Sequence, residues 1–132
     1  MRTILFSSLC SIIMLFIASG CKSEPPLSAP EEDLKISIDA PSYTTTPAAD
    51  FSFNLNIESK IPVDGVKVEY NVKSEIDNQS YSQGPVINTQ TSSLPITISN
   101  LPRQKICICT VMVTSRSKST NTAMQSFRVI YK

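Results

Sequence analysis

The residues of this chain that point most directly to chemistry are two cysteines separated by a single residue. Cys107 and Cys109 flank Ile108, and on a strand they would share one face, with Cα atoms about 6.6 Å apart. Three interpretations stay open. The thiols pack in the core as small apolar groups, they form a strained disulfide, or they hold a soft metal such as copper(I) or zinc with an incomplete ligand set.

The rest of the composition gives little support to catalysis, cofactor binding or nucleic-acid binding. The 132 residues contain no His, the commonest general base and metal ligand, and only 3 Gly, too few for a phosphate-binding loop. A net charge of +1, from 12 basic and 11 acidic side chains, leaves no basic excess for nucleic acid. We therefore expect no enzyme, no cofactor and no nucleic-acid partner.

The charged residues are distributed unevenly along the chain. From Lys22 to Asp77 there are 5 basic and 11 acidic residues, whereas from Asn78 to Lys132 there are 6 basic and no acidic ones. Either the pairing of strands mixes the two halves and evens out the surface charge, or a basic patch faces an acidic partner or lipid headgroups. The residues of that patch would be Arg103, Lys105, Arg116, Lys118 and Arg128.

Most of the chain after residue 33 alternates apolar and polar side chains with a period of two, which is the pattern of half-buried strands. The alternating runs are Leu34–Ile38, Phe51–Ile57, Val66–Val72, Leu94–Ile98, Cys107–Val113 and Phe127–Tyr131. Turn sequences such as Asp64-Gly65 and Gly84-Pro85 separate the runs. The pattern predicts a single all-β domain, an antiparallel β-sandwich of about seven strands, with Pro95 on an edge strand because it lacks a backbone donor.

The run that contains the two cysteines is apolar on both faces. If Cys107 and Cys109 face the core, the intervening apolar side chains face outward. This outward set consists of Ile106, Ile108, Met112 and, on the last strand, Ile130. A central strand can be apolar on both sides without further meaning, but a continuous outward patch would mark a surface for a protein partner.

The first twenty residues have the three-part layout of a secretory signal. Arg2 precedes an uncharged apolar run from Ile4 to Ala18, which is shorter than the roughly 20 residues that a membrane-spanning helix needs. The segment Ile17-Ala18-Ser19-Gly20-Cys21 resembles the lipobox of bacterial lipoproteins. That resemblance implies cleavage after Gly20, lipid on Cys21 and an anchor in the bacterial cell envelope, and Lys22 points by analogy to the outer membrane. Residues 21–33, rich in Pro and Glu, are expected to form a disordered tether.

The alternating domain, residues 34–132, resembles fibronectin type III and other immunoglobulin-like domains. The segments that carry the resemblance are Pro62–Tyr70 and Ile96–Val113. The resemblance implies that the loops after the second, fourth and sixth strands gather at the end opposite the N-terminus. The loop Thr114–Thr122, with Arg116 and Lys118, and the loop Ser59–Asp64, with Ile61 and Val63, would then form a binding surface away from the membrane.

Taken together, these features predict a lipid-anchored envelope protein that serves as a non-enzymatic binding or accessory module for an envelope protein or a glycan. The membrane would be a partner through the lipid on Cys21. The alternative hypothesis is a thiol-based metal-handling lipoprotein that uses Cys107 and Cys109.

Overall fold

The structure, a computed structural model, describes residues 29–132 and contains nine strands in that range. They are β1 (Ile36–Ile38), β2 (Tyr43–Thr46), β3 (Phe51–Ile57), β4 (Val66–Ser74), β5 (Ser80–Tyr81), β6 (Ile87–Thr89), β7 (Ser93–Ile98), β8 (Ile106–Ser115) and β9 (Thr122–Tyr131). All six alternating runs form strands. The predicted signal sequence, Cys21 and most of the predicted tether lie outside the described residues.

The strands form two sheets. The first sheet has the order β1-β3-β7, and the second has the order β2-β9-β8-β4-β5, with β6 also paired to β4. Every pairing is antiparallel except that of β2 with β9. The predicted all-β sandwich is confirmed, with nine strands in place of about seven because β2, β5 and β6 are additional short strands. No helix in residues 29–132 is long and apolar enough to cross a membrane.

The core lies between the two sheets and is built from the inward members of the alternating runs. Leu55, Ile96 and Ile98 of the first sheet are fully buried, as are the valines of the second. An aromatic cluster joins the sheets: the ring of Phe127 lies 5.0 Å from that of Phe53, in an edge-to-face arrangement, and 5.8 Å from that of Phe51. Rings at such distances stabilise each other beyond the area they bury.

The prediction that Pro95 lies on an edge strand is confirmed. Pro95 is in β7, which pairs only with β3 and ends the first sheet. The end of this open edge is covered by Gln83, whose side-chain amide accepts a hydrogen bond from the Ser99 N–H and donates one to the Ser99 carbonyl, both at 2.9 Å. Because Pro95 lacks an N–H donor and Gln83 covers the end of β7, this edge is less able to pair with another chain.

The register of the strands defines two opposite ends of the sandwich. Ile36 lies beside Ile57, and Val66 lies beside both Ser115 and Thr89. The chain segment 31–35 and the loops 58–65, 90–92 and 116–121 therefore share one end, which we call the N-terminal end. The loops 75–79 and 99–105 lie at the opposite end, which we call the far end.

Candidate functional site

The N-terminal end is held together by one buried amide side chain. Asn121, which is 6% exposed, accepts a hydrogen bond from the Leu34 N–H at 2.9 Å through Oδ1. Its Nδ2 donates to the Glu31 carboxylate at 2.6 Å and to the Glu32 carbonyl at 2.9 Å. The amide nitrogen and the amide oxygen of this side chain therefore both bond to a segment about ninety residues earlier in the sequence. We call this set of contacts the Asn121 clamp.

Further contacts attach the same segment to the loop between β3 and β4. The Lys35 N–H donates to Ser59 Oγ at 3.2 Å, and the Lys60 N–H donates to the Glu32 carboxylate at 3.1 Å. The last residues of the predicted tether, from Glu31 to Asp33, are therefore in contact with the domain. The chain enters the sandwich at a fixed place.

These contacts show that the expected position of the N-terminus was wrong. We predicted that the loops after Ile57 and Ser115 lie opposite the entry of the chain, and the structure places them at the same end. The physical reason is the register: β1 runs antiparallel to β3, so the start of β1 meets the end of β3. The loops that carry Ile61, Val63, Arg116 and Lys118 thus lie beside the point where any N-terminal anchor would attach.

The two loops of the N-terminal end contact each other. The Arg116 guanidinium donates to the Asp64 carbonyl at 3.2 Å, and Ser117 Oγ donates to the Asp64 carboxylate at 3.2 Å. Ile61 is half-buried against the core, while Val63 is 90% exposed. Of the two expected apolar contacts, only Val63 is free to touch a partner.

The structure does not bring the five predicted cations into one basic patch. Arg116 and Lys118 lie at the N-terminal end, whereas Lys105 pairs with Asp77 at the far end at 3.2 Å. Arg128 pairs with Glu75 at 2.8 Å. The fifth cation, Arg103, lies over the ring of Tyr131. Strand pairing therefore mixes the acidic and basic halves of the chain.

Asp77 has the most perturbed carboxylate at the far end. Its pKa is lowered to about 2 by the nearby Ser74 hydroxyl, the Gln79 N–H and the Lys105 ammonium. The buried Ser74 Oγ makes no hydrogen bond of good geometry among the described residues. The contacts that hold the carboxylate are therefore those to Gln79 and Lys105, both at 3.2 Å. Because the pair is exposed, it contributes little to stability.

The outward side chains of the second sheet form a mixed surface, which we call the outer face. It contains Ile106, Ile108, Met112 and Ile130, as expected from the alternation. Ile106 lies beside Ile130, and Met112 lies beside Met124. Polar residues separate these two apolar pairs, because Arg128 is the neighbour of Ile108 and Thr110 is paired with Ser126. The four expected residues share a face without forming one continuous apolar patch.

An open groove of about 350 Å³ lies on the outer face around the methionine pair. Met112 and Met124 are exposed and line it together with Val86, and Met124 is 69% exposed. Its polar lining residues are Glu69, Tyr70, Asn71 and Thr110, with Gly84 and Pro85 completing the wall. The groove thus combines flexible apolar side chains with several hydrogen-bonding groups.

Gly84, in the wall of the groove, lies close to Tyr70. A Cβ atom added at Gly84 would stand 2.5 Å from the Tyr70 hydroxyl, so a larger residue there would require the Tyr70 side chain to shift. Sequence reasoning identified Met112 but missed Met124, Val86 and Tyr70. The Gly84-Pro85 turn was the available signal, but nothing in the sequence showed that this turn folds against β4.

Both thiols of the cysteine pair lie in the core. Cys107 and Cys109 are fully buried and free, and their strand neighbours include Val129 and Phe127. Burial raises the pKa of both thiols, that of Cys109 to about 12. Residues 29–132 bring together no group of three or more His, Cys, Asp or Glu side chains that could hold a metal. The two thiols thus pack in the core as small apolar groups.

We expect Cys107 and Cys109 to react slowly with a thiol reagent in the native state. After denaturation without a reductant, both Cys107 and Cys109 should be titrated as free thiols. Replacing both by Val should lower the free energy of unfolding by less than about 1.5 kcal/mol, because the volumes are similar. The absence of free thiols after denaturation would show a disulfide instead.

No protein-family model and no curated protein matches this chain. The described residues show the coarse part of the expected resemblance, an all-β sandwich compatible with immunoglobulin-like and fibronectin type III-like domains. The lipoprotein resemblance rests on residues 17–21, which lie outside the described part of the chain.

Proposed function

We propose that this chain is a lipid-anchored protein of the bacterial cell envelope, held at the outer membrane by lipid on Cys21. Its immunoglobulin-like sandwich is a non-enzymatic binding or accessory module for another envelope protein or a glycan. The proposal is supported by the lipobox-like segment that ends at Cys21, the signal-like run before it and the sandwich fold after it.

The observation that carries the binding role is the groove around Met112 and Met124. The Asn121 clamp places the chain entry at the N-terminal end, so an anchor attached to residue 21 leaves the outer face open to the surrounding space. Exposed methionines adapt their shape to a bound surface at low energetic cost. The two methionines lie beside Glu69, Asn71 and Thr110 on the same face, which makes the groove a better candidate than the loops of the N-terminal end.

A site-specific crosslinking experiment tests this function. A photo-crosslinking amino acid is placed at position 124 in the groove and, as a control, at position 76, where Ile76 is 83% exposed at the far end. We expect a discrete adduct in intact cells from position 124 and none from position 76. The additional substitution Met112→Asp should abolish the adduct, because it places a charge on the floor of the groove.

The identity of the adduct distinguishes the two partner classes. A shift that a protease removes indicates a protein, and a shift that a glycan-degrading enzyme removes indicates a glycan. The crosslinking amino acid is also placed at position 118, in the loops of the N-terminal end. If an adduct formed at position 76 or 118 and none formed at position 124, the groove would not be the binding site.

A further inference from the structure

The N-terminal end carries an exposed apolar tip beside a loop with two cations. Val63 lies at the apex of a turn, and the exposed side chains of Arg116 and Lys118 lie on the adjacent loop. We propose that this end contacts the lipid headgroups of the membrane in which Cys21 is anchored, with Val63 entering the headgroup region and the two cations on lipid phosphates. This inference rests on the proposed lipid anchor and adds an orientation and a second membrane contact.

The length of the connecting chain supports this orientation. Ten peptide steps separate Cys21 from Glu31, where the Asn121 clamp begins, so even a fully extended connection spans at most about 36 Å. The far end lies farther away by the length of the ten-residue strands β8 and β9, about 33 Å. The loops of the N-terminal end therefore meet the headgroups at most extensions of the tether, whereas the far end, about 33 Å beyond the chain entry, reaches them only when the tether is almost fully extended.

The turn that carries Val63 is held rigidly. The Gly65 N–H donates to the Pro62 carbonyl at 2.8 Å, and Gly65 has a φ of +79°, a conformation that favours glycine. The Gln90 side chain donates to the Val63 carbonyl at 3.3 Å. A Cβ atom at Gly65 would stand 2.5 Å from the Thr89 carbonyl oxygen. The apolar side chain is therefore presented to the membrane with little further loss of entropy on contact.

The N-terminal end carries both acidic and basic residues, so its contact with the membrane depends on the anchor. Acidic and basic residues both occur in its segments, namely Glu31, Glu32, Asp33, Glu58 and Asp64 against Lys35, Lys60, Arg116 and Lys118. Glu31, Glu32 and Asp64 accept hydrogen bonds from neighbouring groups of the same end. With no basic excess, general attraction to anionic lipid is weak, so the contact depends on the local placement of Val63, Arg116 and Lys118 and on the tether.

A fluorescence-quenching experiment on the lipidated protein tests the orientation. Val63→Cys and Ile76→Cys are matched, because both native residues are apolar, exposed turn residues at opposite ends of the sandwich. Each variant is labelled with an environment-sensitive fluorophore and reconstituted into vesicles of phosphatidylethanolamine and phosphatidylglycerol that contain a lipid with a spin-labelled headgroup. Cys107 and Cys109 are buried and do not compete for the label.

We expect the spin-labelled lipid to quench the label at position 63 severalfold more than the label at position 76. Adding Arg116→Glu and Lys118→Glu should reduce the quenching at position 63 while the protein stays bound to the vesicles. Equal quenching at the two positions on vesicle-bound protein would overturn the orientation and leave the anchor intact. Protein that lacks lipid and fails to float with the vesicles would instead refute the proposed anchor.

Discussion

Replacing Asn121 by Asp should destabilise the domain by about 3 kcal/mol, because a buried polar group loses its donors and gains a charge beside another carboxylate. The substitution preserves the shape of the side chain and its bond to the Leu34 N–H, but it removes both donations of Nδ2, to Glu31 and to the Glu32 carbonyl. Domains of this size have a total stability of about 5–15 kcal/mol, so a large part would be lost.

Urea denaturation, with the midpoint and slope compared between variants, measures this effect. Asn100→Asp is the matched control, because Asn100 is exposed and its side chain makes a single hydrogen bond, to the Ser82 carbonyl at 3.2 Å. We expect the control to change the free energy of unfolding by less than about 1 kcal/mol. If the two variants were equally stable, the Asn121 clamp would not fix the entry of the chain.

The same substitution should also loosen the segment from Glu31 to Leu34. The proposed membrane orientation depends on this segment, because it determines which end of the sandwich would lie near the proposed anchor. A domain joined through a longer, freely moving connection would sample more orientations. Asn121 therefore links the stability of the fold to the geometry of the proposed anchor.

The strands with a strong alternation of apolar and polar residues could be predicted from the sequence, and those without it could not. Phe51–Ile57 and Val66–Ser74 bury alternate side chains, and this burial is what the alternating pattern records. Tyr43–Thr46 has no apolar alternation. It forms a strand because it pairs in parallel with the edge of β9. The two- and three-residue strands β5 and β6 depend on β4 in the same way.

The candidate site was predictable only in part, because it depends on contacts between distant segments. The outward direction of Ile108 and Met112 follows from the period of two, and so does the shared face of Cys107 and Cys109. The role of Asn121 does not, because an Asn in a hairpin loop usually serves its own turn. Its partners are close only after β1 and β9 are placed in the sandwich.

The mixed charge of the surface could not be predicted from the sequence either. The contrast between an acidic first half and a basic second half disappears where Lys105 meets Asp77 and Arg128 meets Glu75. Both pairs join segments that are distant in sequence, and the Arg128–Glu75 pair spans β8, which lies between β9 and β4. An argument from charge blocks alone would have assigned this domain a basic surface that it does not have.

The proposed lipid on Cys21 is the premise of both the proposed function and the proposed orientation, and its removal should have an all-or-none effect. Without the thiol no lipid can be attached, so Cys21→Ser should leave the precursor uncleaved. Lipidation is also what converts an exported domain into a stably anchored one, since several acyl chains together hold a protein at a membrane.

Metabolic labelling with radioactive palmitate, combined with the intact mass of the purified protein, tests this central claim most directly. We expect the wild-type chain to carry the label and to begin at Cys21 with added acyl mass. The Cys21→Ser variant should carry no label and retain residues 1–20. Equal labelling of the two proteins, or an unlabelled wild-type chain, would contradict the lipid anchor and with it the orientation of the sandwich at the membrane.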